Sequence, residues 1–235
     1  IVAYDLASSI DLSSFQTNNP TPYNCTAAYP LSGSYSSGDY LAKTYDNLLL
    51  ASHYYLVVRF NMAFMGSWLN TDMLAATVDG FQKVWNYSCN TNQAICTTSD
   101  CIRQYEVQRN HSSTSLSLNI TATIASSPPT QSWGIREILI AVRICDSSCL
   151  TCYGPKANQC YSCQPNYFIL GTACVVVCPH FTVRSVAVCL EDCPDSYYSS
   201  QMDCEMCHPD CATCRGPESS DCITSFDQSI SKKFS

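Results

Sequence analysis

Cys145, Cys149, Cys152 and Cys160 recur, with the same three, two and seven intervening residues, as Cys207, Cys211, Cys214 and Cys222, 62 positions further on. Fourteen of the 18 cysteines lie between residues 145 and 222. Sulfur at this density supports two kinds of chemistry, thiolate ligation of zinc or oxidation to cystine. Cys149-x2-Cys152 and Cys160-x2-Cys163 have the spacing of zinc ligands, but a zinc site leaves Cys145 and the later cysteines unexplained. Pairing is the more economical outcome, and it needs an oxidising compartment. The chain is therefore expected to be extracellular, secreted or displayed at a cell surface, with no metal cofactor.

The other residues capable of chemistry are sparse. His53, His111, His180 and His208 show no metal-ligand spacing, and the motifs of nucleophilic serine, zinc protease, phosphate-loop and calcium-hand sites are all missing. No catalytic residue is assigned, and the chain is expected not to be an enzyme. Asp72 and Asp79 bracket a predicted strand and read as solvated turn acids. Calcium is their alternative use, and it demands roughly six to eight oxygens. Asn24, Asn86, Asn110 and Asn119 each begin an Asn-x-Ser/Thr acceptor triplet for N-linked glycans, all within the first 144 residues. The net charge is −7 with 13% charged residues. A nucleic-acid partner is excluded, because phosphate binding needs clustered Lys and Arg, and Lys232-Lys233 is the only adjacent basic pair. No apolar run reaches the length of a transmembrane segment. The start at Ile1, without Met, is expected to be the end left by removal of a secretory signal.

The elements that position these residues follow from periodicity. Over His53–Phe64, Tyr54, Leu56, Val58, Phe60, Met62 and Phe64 alternate with Tyr55, Val57, Arg59, Asn61 and Ala63, which predicts a long strand with one core face. Ser115–Ile124 does the same with Leu116, Leu118, Ile120 and Ile124 inward, leaving Asn119 on the wet face. Ile138, Ile140, Val142 and Ile144 form a third inward set. Asp79-Gly80 predicts a hairpin turn between Met73–Val78 and Phe81–Trp85, and Ile102–Gln108 is a shorter strand with Tyr105 and Val107 on one side. Residues 41–50 are the only moderate helix candidate. These strands predict a mainly β protein, an antiparallel β-sandwich of jelly-roll kind, with Trp68, Trp85 and Trp133 in its core rather than on a sugar-binding platform. Cys25, Cys89, Cys96 and Cys101 are expected to make two disulfides, one tethering the 87–101 loop; three pairings remain open. The expected organisation is an amino-terminal arm (1–20), the sandwich (21–144), the cysteine-rich part (145–224) and a tail (225–235).

Residues 145–222 hold too few large aliphatic side chains for a core of their own, and a segment of that kind relies on staples. The motif Cys145-x3-Cys149-x2-Cys152-x-Gly-Pro-x4-Cys160-x2-Cys163, its return at Cys207–Cys222, and the pairs Cys178-Pro and Cys193-Pro resemble the furin-like, growth-factor-receptor cysteine-rich repeat. The resemblance implies an extended series of small disulfide-bonded hairpins. It implies the pairs Cys145–Cys152, Cys149–Cys160, Cys163–Cys174, Cys178–Cys189, Cys193–Cys204, Cys207–Cys214 and Cys211–Cys222. A sandwich ending in Ser132-Trp-Gly-Ile135 and running into such repeats also resembles secreted or surface proteins of ciliates and similar protists.

Two functions of different class are compatible with these features. The first is a glycosylated structural protein whose partners are copies of itself, assembling as a filament or surface coat. Here Ile1–Leu6, through Ile1, Val2, Tyr4 and Leu6, adds as a strand to a neighbour's sheet. The second is an adhesion or receptor module that binds glycans or other surface proteins, with exposed tyrosines such as Tyr29, Tyr35 and Tyr40 as contacts.

Overall fold

The computed structural model describes residues 3–6, 14–19, 23–24, 30–31, 33–46, 52–89, 100–125 and 131–226. The chain divides into two compact units, Ile1–Ile144 and Cys145–Ser235.

The first unit is built from strands β1 (Ala3–Leu6), β2 (Gln16–Thr17), β3 (Tyr23–Asn24), β4 (Pro30–Leu31), β5 (Tyr40–Tyr45), β6 (His53–Met65), β7 (Met73–Val78), β8 (Phe81–Asn86), β9 (Cys101–Asn110), β10 (Leu116–Thr123) and β11 (Ser132–Ile144). One sheet has the order β1-β11-β6-β9 and the other β2-β5-β10-β7-β8, while β3 pairs only with β4. From β5 to β11 every connection changes sheet except the β7–β8 hairpin, the crossing pattern of a jelly-roll-like sandwich. In that hairpin Asp79 and Gly80 have φ of 47° and 77°. Two left-handed residues make the turn whose twist matches that of the flanking strands.

Alternation drives the packing. Leu56, Val58, Phe60, Met62 and Phe64 of β6 are buried against Leu74, Ala76 and Val78 of β7 and Leu116, Leu118 and Ile120 of β10 in one cluster. Trp133 is fully buried; its Nε1 donates to Ser36 O at 3.2 Å and its ring lies 4.5 Å from that of Tyr35. Trp68 Nε1 donates to Met65 O and Ser132 O at 3.1 and 3.2 Å, so each indole is buried with its polar atom satisfied. Gly134 follows Trp133 because a Cβ there would strike the Gly33 carbonyl and the Leu31 side chain; only hydrogen allows Leu31 and Gly33 to lie so close.

Three expectations need correcting, and the amino-terminal strand is seen here within one copy of the chain. Residues 41–45 form part of a strand, because β5 pairs residue by residue along β10, Leu41 opposite Ile120 and Tyr45 opposite Leu116, and so buries Leu41 and Tyr45; residues 47–50 lie outside the described ones. Ile144 is 57% exposed, since a register shift after Arg143 takes the strand end off the core face. Tyr35 is fully buried rather than a surface contact; an antiparallel bridge to Trp133 draws it inward. Ala3–Leu6 pairs with β11 of its own sheet, Ala3 opposite Ile140 and Leu6 opposite Glu137. A tethered strand meets that edge at a far higher effective concentration than a neighbour's strand does.

The second unit is a run of hairpins: β12 (Cys149–Cys152) with β13 (Cys160–Cys163), β14 (Phe168–Leu170) with β15 (Ala173–Val175), β16 (Phe181–Val183) with β17 (Val188–Leu190), β18 (Tyr197–Ser200) with β19 (Asp203–Met206), and β20 (Cys211–Cys214) with β21 (Cys222–Ser225). Parallel bridges Ile169–Val188 and Thr182–Asp203 join the middle three into one sheet. Among the described residues Val183 is the only buried apolar side chain of this unit that is not a half-cystine. Cystine therefore takes the place of a hydrocarbon core. The sulfurs join Cys145 to Cys152, Cys149 to Cys160, Cys163 to Cys174, Cys178 to Cys189, Cys193 to Cys204, Cys207 to Cys214 and Cys211 to Cys222. The two Cys-x-Gly-Pro repeats share local geometry. Thr151 and Ser162 hydroxyls meet at 2.5 Å across the first hairpin, and Thr213 and Thr224 at 2.6 Å across its copy. Among the described residues no helix is long and apolar enough to cross a membrane.

Candidate ligand groove between two sheet edges

β8 is the edge of one sheet and β9 the edge of the other, so among the described residues no strand covers the sandwich along this side. An open side leaves two rows of unpaired backbone groups, which proteins commonly blunt with cations. Three basic side chains do so here. Lys83 Nζ donates to Glu106 O at 3.0 Å, Arg109 donates to Val78 O at 2.6 Å, and Arg103 donates to Ser88 O. Lys83 also lies 5.3 Å from the centre of the Trp85 ring and Arg109 5.6 Å from that of Phe81, contacts that hold a cation over an aromatic face.

Between these straps runs a groove of about 430 Å³ lined by Lys83, Trp85, Asn86, Ser88, Arg103, Gln104, Tyr105 and Glu106. The strand period puts the aromatics there. Val78, Ala76 and Leu74 of β7 lie opposite Phe81, Lys83 and Trp85, so these three share the inward side of β8. Being at an edge, that side is only partly covered. The Trp85 and Tyr105 rings lie 5.1 Å apart, and Trp85 packs edge-on to Phe60 of the core at 6.1 Å. The groove floor is thus anchored to the sandwich interior.

Burial pushes the Tyr105 phenol up to about 12, against a smaller opposing pull from Arg103. Its hydroxyl keeps its proton at any physiological pH and is available as a donor. Glu106 is held below the usual carboxylate range, first by the Gln108 amide and then by Arg59, whose Nε donates to it at 2.9 Å. It is a charged acceptor, unsuited to act as an acid. The groove therefore offers aromatic faces, a neutral phenol and two cations, chemistry that binds a polyhydroxylated ligand by stacking and hydrogen bonding.

The residues anticipated from sequence are dispersed. Asn119 is exposed on β10, opposite Ala42 of β5 and Thr77 of β7, on the outer face of its sheet. Asn110 is exposed at the end of β9 and Asn86 at the end of β8. Asn24 belongs to β3, and its side chain lies outside the described ones. Cys89 bonds Cys101, closing the 87–101 loop; Cys25, Cys96, Ile1, Val2, Tyr29 and the side chains of Tyr4 and Leu6 are outside the described residues. Asp72 and Asp79 stand at opposite ends of β7, about 20 Å apart at a strand rise of ~3.3 Å per residue, too far to share an ion. Asp72, expected to be a solvated turn acid, is instead fully buried, because its carboxylate accepts from Leu69 N and Ala125 N, both at 2.8 Å. Asp79 accepts from Ser117 N at 2.8 Å and faces His111 Nε2 at 3.1 Å. The sulfurs of Cys149, Cys160 and Cys174 cluster, but each is in a disulfide and offers no thiolate to zinc.

Sequence reasoning missed the groove. Its one legible trace was Lys83 and Trp85 at alternate positions of a strand after a hairpin turn. Arg103, Tyr105 and Glu106 come from a separate strand and carry no local signal. The His53–His111 contact, 2.8 Å between ring nitrogens, joins residues 58 positions apart and was equally illegible.

No known family profile matches the chain. Its relatives are furin-like and cysteine-rich repeat proteins. It is 33% identical over 73 residues to furin-like protease 2 of Drosophila melanogaster, 30% of this chain and 4% of that protein. It is 34% identical over 87 residues to the mouse receptor tyrosine-protein kinase erbB-4, 34% of this chain and 6% of that one. A third relative is cysteine repeat modular protein 2 of Tetrahymena thermophila, 31% identical over 91 residues, 35% of this chain and 4% of the other. The chain thus spans a small fraction of these proteins. A family 35 carbohydrate-binding module from an environmental isolate overlays 61% of this chain and 99% of its own at 15% identity, with a TM-score of 0.42. Latent PorU of Porphyromonas gingivalis overlays 56% of this chain and 12% of its own at 11% identity, with a TM-score of 0.41. The sandwich is established by its own strand pairing. The cystine density and the relatives fit an extracellular or cell-surface location.

Proposed function

We propose that this chain is a secreted or surface recognition module in which the β-sandwich binds a saccharide and the cystine hairpins form a stiff connector. The observation that carries the proposal is the partly open Trp85–Tyr105 pair, 5.1 Å between rings, surrounded by Lys83, Arg103, Gln104 and Glu106 in one groove. Amphipathic aromatics with adaptable polar neighbours are what polar ligands need. N-linked glycans at Asn24, Asn86, Asn110 and Asn119 belong to the same proposal. A glycan array probed with purified protein tests it. Binding is expected, and Trp85→Ala should abolish it; no binding by the unmutated chain, with every acceptor asparagine unglycosylated, overturns it.

A second reading, association with copies of itself, draws on β1. It pairs with residues 137–140 of the 13-residue β11, and Tyr35 bridges Trp133, so among the described residues the uncovered part of that edge lies beyond residue 140, and exchange of β1 between two copies would use the same register. Sedimentation of the full chain against a variant lacking residues 1–6 tests it. Equal mass for both removes it.

A further inference from the structure

The groove contains an attachment point for the chemistry it is built to bind. Asn86, the last residue of β8, is exposed and lines the groove, and so does Ser88, the third residue of its acceptor triplet. The strand period turns the Asn86 side chain to the face opposite Trp85, but β8 is a sheet edge that ends at this groove-lining residue, so a glycan on Nδ2 starts at the groove's rim and reaches it by folding over that edge. The other described acceptors differ. Asn119 sits on a sheet face among Gln16, Ala42, Lys43, Thr44, Thr77 and Ser117, with no aromatic ring beside it among the described residues, and Asn110 does not line the groove.

Resting on the saccharide-binding reading, we propose that the Asn86-linked glycan docks its first sugars in the groove between β8 and β9, so that glycosylation of Asn86 closes the site to outside saccharides. Tethering supplies the driving force. A ligand on a short flexible link faces its site at roughly millimolar effective concentration. Protein–saccharide contact of even modest strength then leaves the groove filled by its own glycan, while a chain unmodified at Asn86 keeps it open.

The test uses the full chain made in a glycosylating secretory host. Site-resolved mass spectrometry follows native-state release by an endoglycosidase that cuts the chitobiose core. The Asn86 glycan is expected to be released at least about tenfold more slowly than the Asn119 glycan, the factor supplied by about 1.4 kcal/mol of contact. Trp85→Ala should bring the two rates together. Should that variant lose its β-sheet circular dichroism, Lys83→Ala serves instead, its side chain being exposed over the same ring. Equal release rates in the unmutated chain, or an Asn86 without glycan, overturn the proposal. An array with Asn86→Gln protein separates the two readings. If the Asn86 glycan is protected yet this variant binds no saccharide, the groove serves only its own glycan and the reading of an outside ligand fails.

Discussion

Replacing Asp72 by Asn tests whether the sandwich end is held by hydrogen bonds or by an ion. Asp72 is fully buried; one carboxylate oxygen accepts from Leu69 N and the other from Ala125 N, each at 2.8 Å. It ties the loop before β7 to the chain leaving β10. Asparagine keeps one acceptor and turns an NH2 donor on the other N–H, leaving at least one buried donor unsatisfied. Alanine leaves both. A buried orphan costs about 1–3 kcal/mol, so Asp72→Asn should cost about 2 kcal/mol and Asp72→Ala about 4 kcal/mol. At about 3 °C per kcal/mol for a unit of this size, melting should fall by about 6 and about 12 °C. Differential scanning calorimetry of the unmutated chain, with and without a calcium chelator, completes the assay. The clamp argument expects no change on chelation. A drop on chelation matching that of Asp72→Ala would show a calcium ligand and refute it.

The Tyr105 phenol, pushed up to about 12 by burial from about 10 when unfolded, binds its proton more tightly in the folded chain. This group should leave stability unchanged below pH 10 and lower it by at most about 3 kcal/mol between pH 10 and 12. Denaturant titrations at those pH values check this, and Tyr105→Phe should remove that part of the slope. Replacing Cys149 and Cys160 together by Ala opens an 11-residue separation and should cost about 3 kcal/mol. Limited proteolysis should then cut between β12 and β13 while β16–β17 survives, and undiminished resistance would mean that something other than cystine holds that hairpin.

Much of the fold is written locally. The period-two runs of β6 and β10, the two left-handed residues of the Asp79-Gly80 turn, and the doubled Cys-x-Gly-Pro spacing each act through neighbours a few residues away. The exposure of Asn119 follows from the same alternation. What failed was information carried by distant partners. The apolar residues of 41–50 suit a helix until Leu41 and Tyr45 meet β10. Tyr35 looks like a loop tyrosine until Trp133, 98 positions later, bridges to it. Ala3–Leu6 looks like a free arm until the edge of β11 is known to be vacant for it.

The sequence by itself determined the alternating strands, because side-chain period acts over a few residues, and its resemblance to the furin-like repeat implied the cystine pairs of residues 145–222. The tertiary structure alone decided that Trp85 and Asn86 face Arg103, Tyr105 and Glu106 across an open side of the sandwich. Those residues lie on the edges of different sheets, and only the packing of one sheet on the other brings two edges together.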